Sequence, residues 1–221
     1  MMKALPSAGE ILSNLIIIDG FIDEPTCRAL IEAHTSLVSL HGSSDNGLYV
    51  PGMRRKNSTA FQAAKSLIDR VRYMIDTRYG DKVGCDLALL CAIIPGFKHS
   101  LHADNSKIVC PTHGDNAERL VELGCQCEDI EVKPNHTSWR KYTGLLYLDS
   151  NHEGGNIVFG EGPNIYGRSY RRVIEVKRGL LVLSPSNELY HHYTTPVTNG
   201  VRYSLNVWFT PDETRICREL A

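Results

Sequence analysis

No stretch of this 221-residue chain stays apolar for anything near the roughly 18 residues that cross a bilayer as a helix. Residues 1–14 lack the apolar core of a secretory leader, and the apolar run at 15–18 is too short to be one. An excess of one charge is missing too. The 24 basic and 25 acidic side chains leave a net charge of −1, so neither nucleic acid nor a membrane surface is an expected partner. Cysteine occurs seven times, an odd and scattered set, which favours a reducing compartment over a disulfide scaffold. The cytoplasm is the expected location. Internal repeats and low-complexity linkers are absent, and 42% of the residues are hydrophobic. One domain over 1–221 with a sizeable core is the simplest account.

What is present divides into a helical part and a strand part. Asp23 can cap a helix whose apolar positions Cys27, Leu30 and Ile31 recur at helical spacing. A longer helix is marked by Phe61, Ala64, Leu67, Ile68, Val71 and Ile75, ending near Tyr79-Gly80. Between them, residues 39–52 are rich in turn formers and predict a mobile loop. After Gly84 the period changes. Segments 87–94, 143–148, 156–159, 172–176, 179–183 and 201–209 read as strands parted by Gly, Pro, Asn or Ser, and 15–18 adds another. Helices first and strands later predict an α+β chain, a sandwich or barrel with helices on one face.

The chemistry concentrates in two blocks. His102-Ala103-Asp104 offers an imidazole and a carboxylate two residues apart, which a strand would place on one face. Later come His191-His192, then Thr198-Asn199-Gly200 as an expected turn, then a strand returning with Arg202. Two imidazoles and one carboxylate are the ligand set of a facial triad with open metal positions. Adjacent strand residues face opposite ways, so one of the two histidines can join, and local sequence leaves the choice open. The returning strand puts Val201, Tyr203, Leu205, Val207 and Phe209 on one side, with Arg202, Ser204, Asn206 and Trp208 on the other. An inward arginine needs an anion, either a fixed core carboxylate or the carboxylate of a bound ligand. A metal with vacant positions beside a permanent cation suits a small dianionic co-substrate and predicts a non-haem iron oxygenase.

These blocks resemble the 2-oxoglutarate- and iron(II)-dependent dioxygenases in the prolyl hydroxylase branch. His192, not His191, stands four residues before Pro196 and ten before Arg202, the family's distal spacing. Tyr142-Thr143-Gly144-Leu145-Leu146-Tyr147-Leu148-Asp149 and Glu153-Gly154-Gly155-Asn156-Ile157-Val158-Phe159 are similar to the segments between the ligand blocks. His102-Ala103-Asp104-Asn105, Trp139-Arg140-Lys141-Tyr142 and the run from Arg202 to Thr210 are most like collagen prolyl 3-hydroxylase (leprecan-type) catalytic domains, as is the opening Ile16-Ile17-Ile18-Asp19-Gly20-Phe21.

The resemblance implies a double-stranded β-helix (jelly-roll) core at about 84–210, helical support at about 20–80 packed on one sheet, and an insertion or lid at about 105–139. It implies iron(II) on His102, Asp104 and His192, with 2-oxoglutarate on Arg202 and the Tyr147 hydroxyl, O2 as oxidant and ascorbate supporting activity. Thr143 shares a strand face with Tyr147, and Asn206 is a polar neighbour of the co-substrate. The ordinary alternative for Tyr147 is a core aromatic. Trp208 is expected to pack beneath the site, and His191 to lie outward or behind a ligand. Within the insertion, Cys110, His113, Cys125, Cys127 and His136 could hold a structural zinc, with ordinary loop cysteines as the alternative. The implied reaction hydroxylates an unactivated C–H, expected to be that of a prolyl residue in a peptide or protein, while 2-oxoglutarate goes to succinate and CO2. A free amino acid substrate, a zinc hydrolase and a non-catalytic jelly-roll binding protein are the rival readings.

Overall fold

Local rules account for the helices. Ser7 and Glu10 close a reciprocal capping box at the start of α1 (Ala8–Ser13). After β1 (Ile16–Ile18), the Asp23 carboxylate accepts the Thr26 N–H at 2.8 Å and starts α2 (Glu24–Leu37). The short β2 (Leu48–Tyr49) and α3 (Val50–Met53) follow. Next comes α4 (Ser58–Tyr79), capped at its start by Asn57 and stopped by Gly80 at φ 71°. Its buried positions include Phe61, Ala64, Leu67, Ile68, Val71 and Ile75, one apolar stripe. The computed structural model describes residues 7–40, 46–116, 120, 131–160 and 170–221.

Ten more strands follow in two runs: β3 (Gly84–Ile93), β4 (Ser106–Val109), β5 (Glu131–Pro134), β6 (Tyr142–Tyr147) and β7 (His152–Gly154); then β8 (Ile157–Phe159), β9 (Arg172–Ile174), β10 (Leu181–Pro185), β11 (His192–Thr194) and β12 (Val197–Gly200). The last strand is β13 (Arg202–Thr210). A six-stranded sheet runs β1-β10-β6-β13-β3-β2, a three-stranded sheet runs β11-β8-β9, and two ladders pair β12 with β7 and β4 with β5. Every recorded pairing is antiparallel.

Two apolar clusters flank the large sheet. One joins Leu30 of α2 and Leu67, Ile68 and Val71 of α4 to Leu90, Leu146, Leu205 and Val207. The other joins Ile11 of α1, Tyr147 and Val182 to Ile157, Phe159 and Ile174 of the small sheet. Strand β6 divides its residues accordingly. Tyr142 and Leu146 belong to the helix-side cluster, while Thr143, Leu145 and Tyr147 line a cavity on the other side. Among the described residues no helix is long and apolar enough to cross a membrane.

Several expectations change. Within the expected loop 39–52, β2 pairs with β3 and continues into α3; residues 41–45 lie outside the described residues. Thr198-Asn199-Gly200 is not a turn but part of β12, because β7 offers an edge that it joins. The insertion begins and ends in the β4–β5 ladder, whose four-residue strands are too short for their period to stand out in the sequence. Cys110 Sγ lies 3.3 Å from His113 Nδ1, while Cys125 and Cys127 fall outside the described residues.

Gly144 marks how closely α4 seats on the sheet. A Cβ there would meet Val207 Cγ2 at 2.8 Å and Val71 Cγ1 at 3.3 Å. Gly144→Val is therefore expected to destabilise the fold by about 1–3 kcal/mol through overpacking. An unchanged urea midpoint would show that both Val207 and α4 can give way freely.

Candidate active site

Two distant backbone segments meet at residues 102 and 192. His102 N–H donates to the His192 carbonyl at 3.0 Å, and His192 N–H returns the bond at 2.9 Å. The pair is an isolated antiparallel bridge. His102-Ala103-Asp104 is thus not a strand, as its spacing had suggested; one bridge fixes it instead. Residues directly opposite in such a pair project side chains to the same face, and the two imidazole centroids lie 4.5 Å apart. One ligand atom from each of His102, Asp104 and His192 falls within 4.8 Å of the others. His191, the alternative, is 4% exposed and not outward, and the metal-competent cluster does not include it.

The imidazoles are held in one tautomer. His102 Nδ1 contacts the Ser100 carbonyl at 2.6 Å, and His192 Nδ1 contacts the Tyr190 carbonyl at 3.0 Å. A carbonyl can only accept, so each Nδ1 carries the proton and each Nε2 keeps a lone pair. Burial pushes the His192 pKa down to about 4, which keeps that lone pair available at neutral pH. Asp104 is fixed at both oxygens. Thr143 Oγ1 donates to Oδ2 at 2.7 Å, and Trp208 Nε1 donates to Oδ1 at 2.8 Å. Burial disfavours that carboxylate, but His192, His102, Thr143 and Trp208 outweigh it and hold its pKa below the ordinary value. Oδ2 is the oxygen that faces His192 Nε2, 4.0 Å away. Two neutral donors and a carboxylate, each oriented by an outer partner, suit a divalent metal.

Across the cavity stands Arg202, on the large sheet, whereas His192 is on the small one. Arg202 is 2% exposed. Its Nη1 donates to the Gly155 carbonyl at 2.7 Å, and its Nε is buried with no hydrogen-bond partner. Among the described residues it forms no ion pair with a carboxylate. Burial lowers its pKa, yet arginine does not give up its proton in proteins. A buried cation with a vacant donor is costly unless a ligand anion completes it. Gly155, at φ 67°, makes room for it: a Cβ there would come within 2.9 Å of Arg202 Cδ.

The other expected residues converge on the same cavity of about 130 Å³, lined by Thr143, Tyr147 and Asn206 together with the triad and Arg202. The Tyr147 ring lies 5.6 Å from the guanidinium carbon of Arg202. Asn206 Nδ2 approaches Cys91 Sγ at 3.5 Å. Thr143 spends its hydroxyl hydrogen on Asp104 and meets Ser186 Oγ at 2.8 Å. Trp208, expected to pack beneath the site, contributes its N–H directly to Asp104. Two participants carried no sequence signal. Ser186 acts through Thr143, and His99 lines the cavity with a buried, unpartnered Nε2.

Residues 89–210 match the model of the 2OG-Fe(II) oxygenase superfamily. Prolyl 3-hydroxylase 2 of Gallus gallus is 29% identical over 89% of this chain, which spans 30% of that protein's length. Among solved structures, the viral collagen prolyl hydroxylase vCPH from Paramecium Bursaria Chlorella virus-1, as a 2OG complex, superposes with a TM-score of 0.59 at 17% identity, covering 89% of this chain and 95% of that one. A prolyl hydroxylase from Trichoplax adhaerens, in complex with a hypoxia inducible factor oxygen degradation domain peptide fragment, gives 0.63 at 16%, covering 94% and 88%. The likeness places the fold with these hydroxylases, as a jelly-roll.

Burial pushes three site imidazoles below their ordinary 6.5, His99 to about 3 and His191 and His192 to about 4. Between those values and 6.5 the unfolded chain binds more protons than the folded one. Stability of the metal-free protein therefore falls as pH drops from 6.5 toward 4, and is fully present above that window. A denaturation midpoint measured against pH, with EDTA present, should show this fall. His99→Phe should make it shallower; an identical slope would mean that His99 titrates normally.

Proposed function

Because the chain belongs to the 2OG-Fe(II) oxygenase superfamily, we propose that it is a dioxygenase that hydroxylates a prolyl residue in a peptide or protein, with prolyl 3-hydroxylation as the preferred outcome. The observation that carries the co-substrate assignment is Arg202, buried, unpaired with any described carboxylate, and facing the three-ligand cluster across one cavity. The prolyl assignment rests on the prolyl 3-hydroxylase relative and on the solved neighbour that holds a peptide.

His102 Nε2, Asp104 Oδ2 and His192 Nε2 are the atoms that would hold iron(II). When bound, the iron supplies oxidising power drawn from O2 and from the conversion of 2-oxoglutarate to succinate and CO2. The protein's part is binding, orientation and exclusion of water. Arg202 takes one carboxylate of 2-oxoglutarate through its free donor, beside the Tyr147 ring. Charge favours the match: two neutral imidazoles and one carboxylate leave iron(II) with one net positive charge, and Arg202 adds another. The two carboxylates of 2-oxoglutarate balance that pair, so the closed site buries no net charge. Asn206 and Thr143 complete the polar lining. The cavity of about 130 Å³ suits a small co-substrate. The peptide then approaches from outside, on the side of His102, the ligand not fully buried.

The test is anaerobic reconstitution with iron(II) and 2-oxoglutarate, read by a weak visible charge-transfer band. The band should form in the wild-type protein and be absent from Asp104→Ala. Arg202→Ala should weaken 2-oxoglutarate binding by about 10–100-fold, the worth of lost hydrogen bonds to a charged group. With ascorbate and air, a peptide library screened by mass should gain one oxygen on proline-containing members. If only free amino acids gain oxygen, the peptide assignment fails; if 2-oxoglutarate is never consumed, the enzyme assignment fails with it.

A further inference from the structure

Strands β3 and β13 pair Leu87 with Trp208 and Cys85 with Phe209, leaving Asp86 without a partner. This one-residue bulge has a consequence for direction. Ala88, Leu90 and, beyond the bulge, Cys85 belong to the helix-side apolar cluster, whereas Leu89 and Cys91 line the cavity. In regular alternation residue 86 would join 88 and 90 and push a carboxylate into that cluster. The bulge turns it the other way. Asp86 Oδ2 accepts Trp139 Nε1 at 2.7 Å and Arg140 Nε at 3.0 Å. The Asp86 and Arg140 side chains are only 7% and 11% exposed, so the pair is largely shielded from screening water.

Held there, the Arg140 guanidinium lies 4.4 Å over the Trp208 ring. A cation on an indole face is attracted by the ring and draws its electron density. The same indole donates its N–H to Asp104 Oδ1. Three contacts therefore run from the bulge to the metal-facing carboxylate. Oδ1 is held by the indole, and Oδ2, which also accepts the Thr143 hydroxyl, is the oxygen 4.0 Å from His192 Nε2. A carboxylate free to turn could offer both oxygens and take a coordination position that the co-substrates need.

We propose that Asp86 and Arg140 are positioning residues that act through the Trp208 indole to keep Asp104 a one-oxygen metal ligand. This rests on the reading of His102, Asp104 and His192 as a metal site.

The test uses Co(II) as the probe on the full chain, with affinity and visible band measured for wild type, Arg140→Met, Trp208→Phe and the double variant. His192→Ala serves as the control for the metal site. Trp208→Phe should weaken Co(II) binding about tenfold, the usual scale for a lost outer partner, and Arg140→Met about threefold with the band shifted in the same direction. In the Trp208→Phe background, Arg140→Met should cost nothing more. If it costs as much there as in wild type, Arg140 supports packing and the proposal fails; no cost in wild type also overturns it. Should Arg140→Met not fold by circular dichroism, Asp86→Asn takes its place in the same cycle. If wild type binds Co(II) no better than His192→Ala, the metal site itself is lost, a failure distinct from the others.

Discussion

The site depends on a reciprocal pair of backbone hydrogen bonds between His102 and His192. Each residue belongs to a different stretch of chain, one leaving the large sheet and one opening the small sheet. The bridge makes them neighbours in register, so both imidazoles project to one side, and Asp104 follows two residues later. Main-chain atoms make the contact, so it sets ring positions without consuming a side-chain donor. The Nδ1 atoms remain free to meet the Ser100 and Tyr190 carbonyls, which leave each Nε2 as an acceptor toward the centre. Without the bridge, nothing in the main chain would tie the His102–Asp104 segment to the strand that carries His192.

Arg202 imposes the second constraint. A guanidinium at 2% exposure costs free energy that one bond to the Gly155 carbonyl does not offset. Two features make the position tolerable: the Gly155 backbone, which a side chain would block, and the Tyr147 ring beside the cation. Under the proposed function, an incoming carboxylate supplies the partner that the buried Nε lacks. The costly buried cation and the proposed site therefore share one cavity, while the helix-side cluster supplies stability.

That separation follows from strand alternation. On β13, Leu205, Val207 and Phe209 enter the helix-side cluster, and Arg202, Asn206 and Trp208 line the cavity. Strand β6 repeats the division one strand away, with Gly144 on the helix side allowing α4 to approach. A rigid sheet thereby presents polar groups on one face at spacings fixed by the pleat. On β3 the departure from alternation occurs at Asp86, linked to Asp104 through Arg140 and Trp208, where a carboxylate is turned out of the apolar cluster.

Period and caps made the helices legible in the sequence, because both depend on residues within one or two turns of each other. The Asp23 cap, the α4 stripe and the two-sided pattern of residues 202–209 are of this kind, and family-like spacing singled out His192 beside Pro196 and Arg202. Other features were illegible. The β12–β7 and β4–β5 ladders, the indole bond from Trp208 to Asp104, the bulge at Asp86 and the orphaned nitrogens of His99 and Arg202 leave no local trace. Each depends on which distant strand supplies the neighbour. Sequence alone thus determined which side chains share a face. Tertiary structure decided which faces meet, because hydrogen-bond partners and burial are set by contacts between segments a hundred or more residues apart.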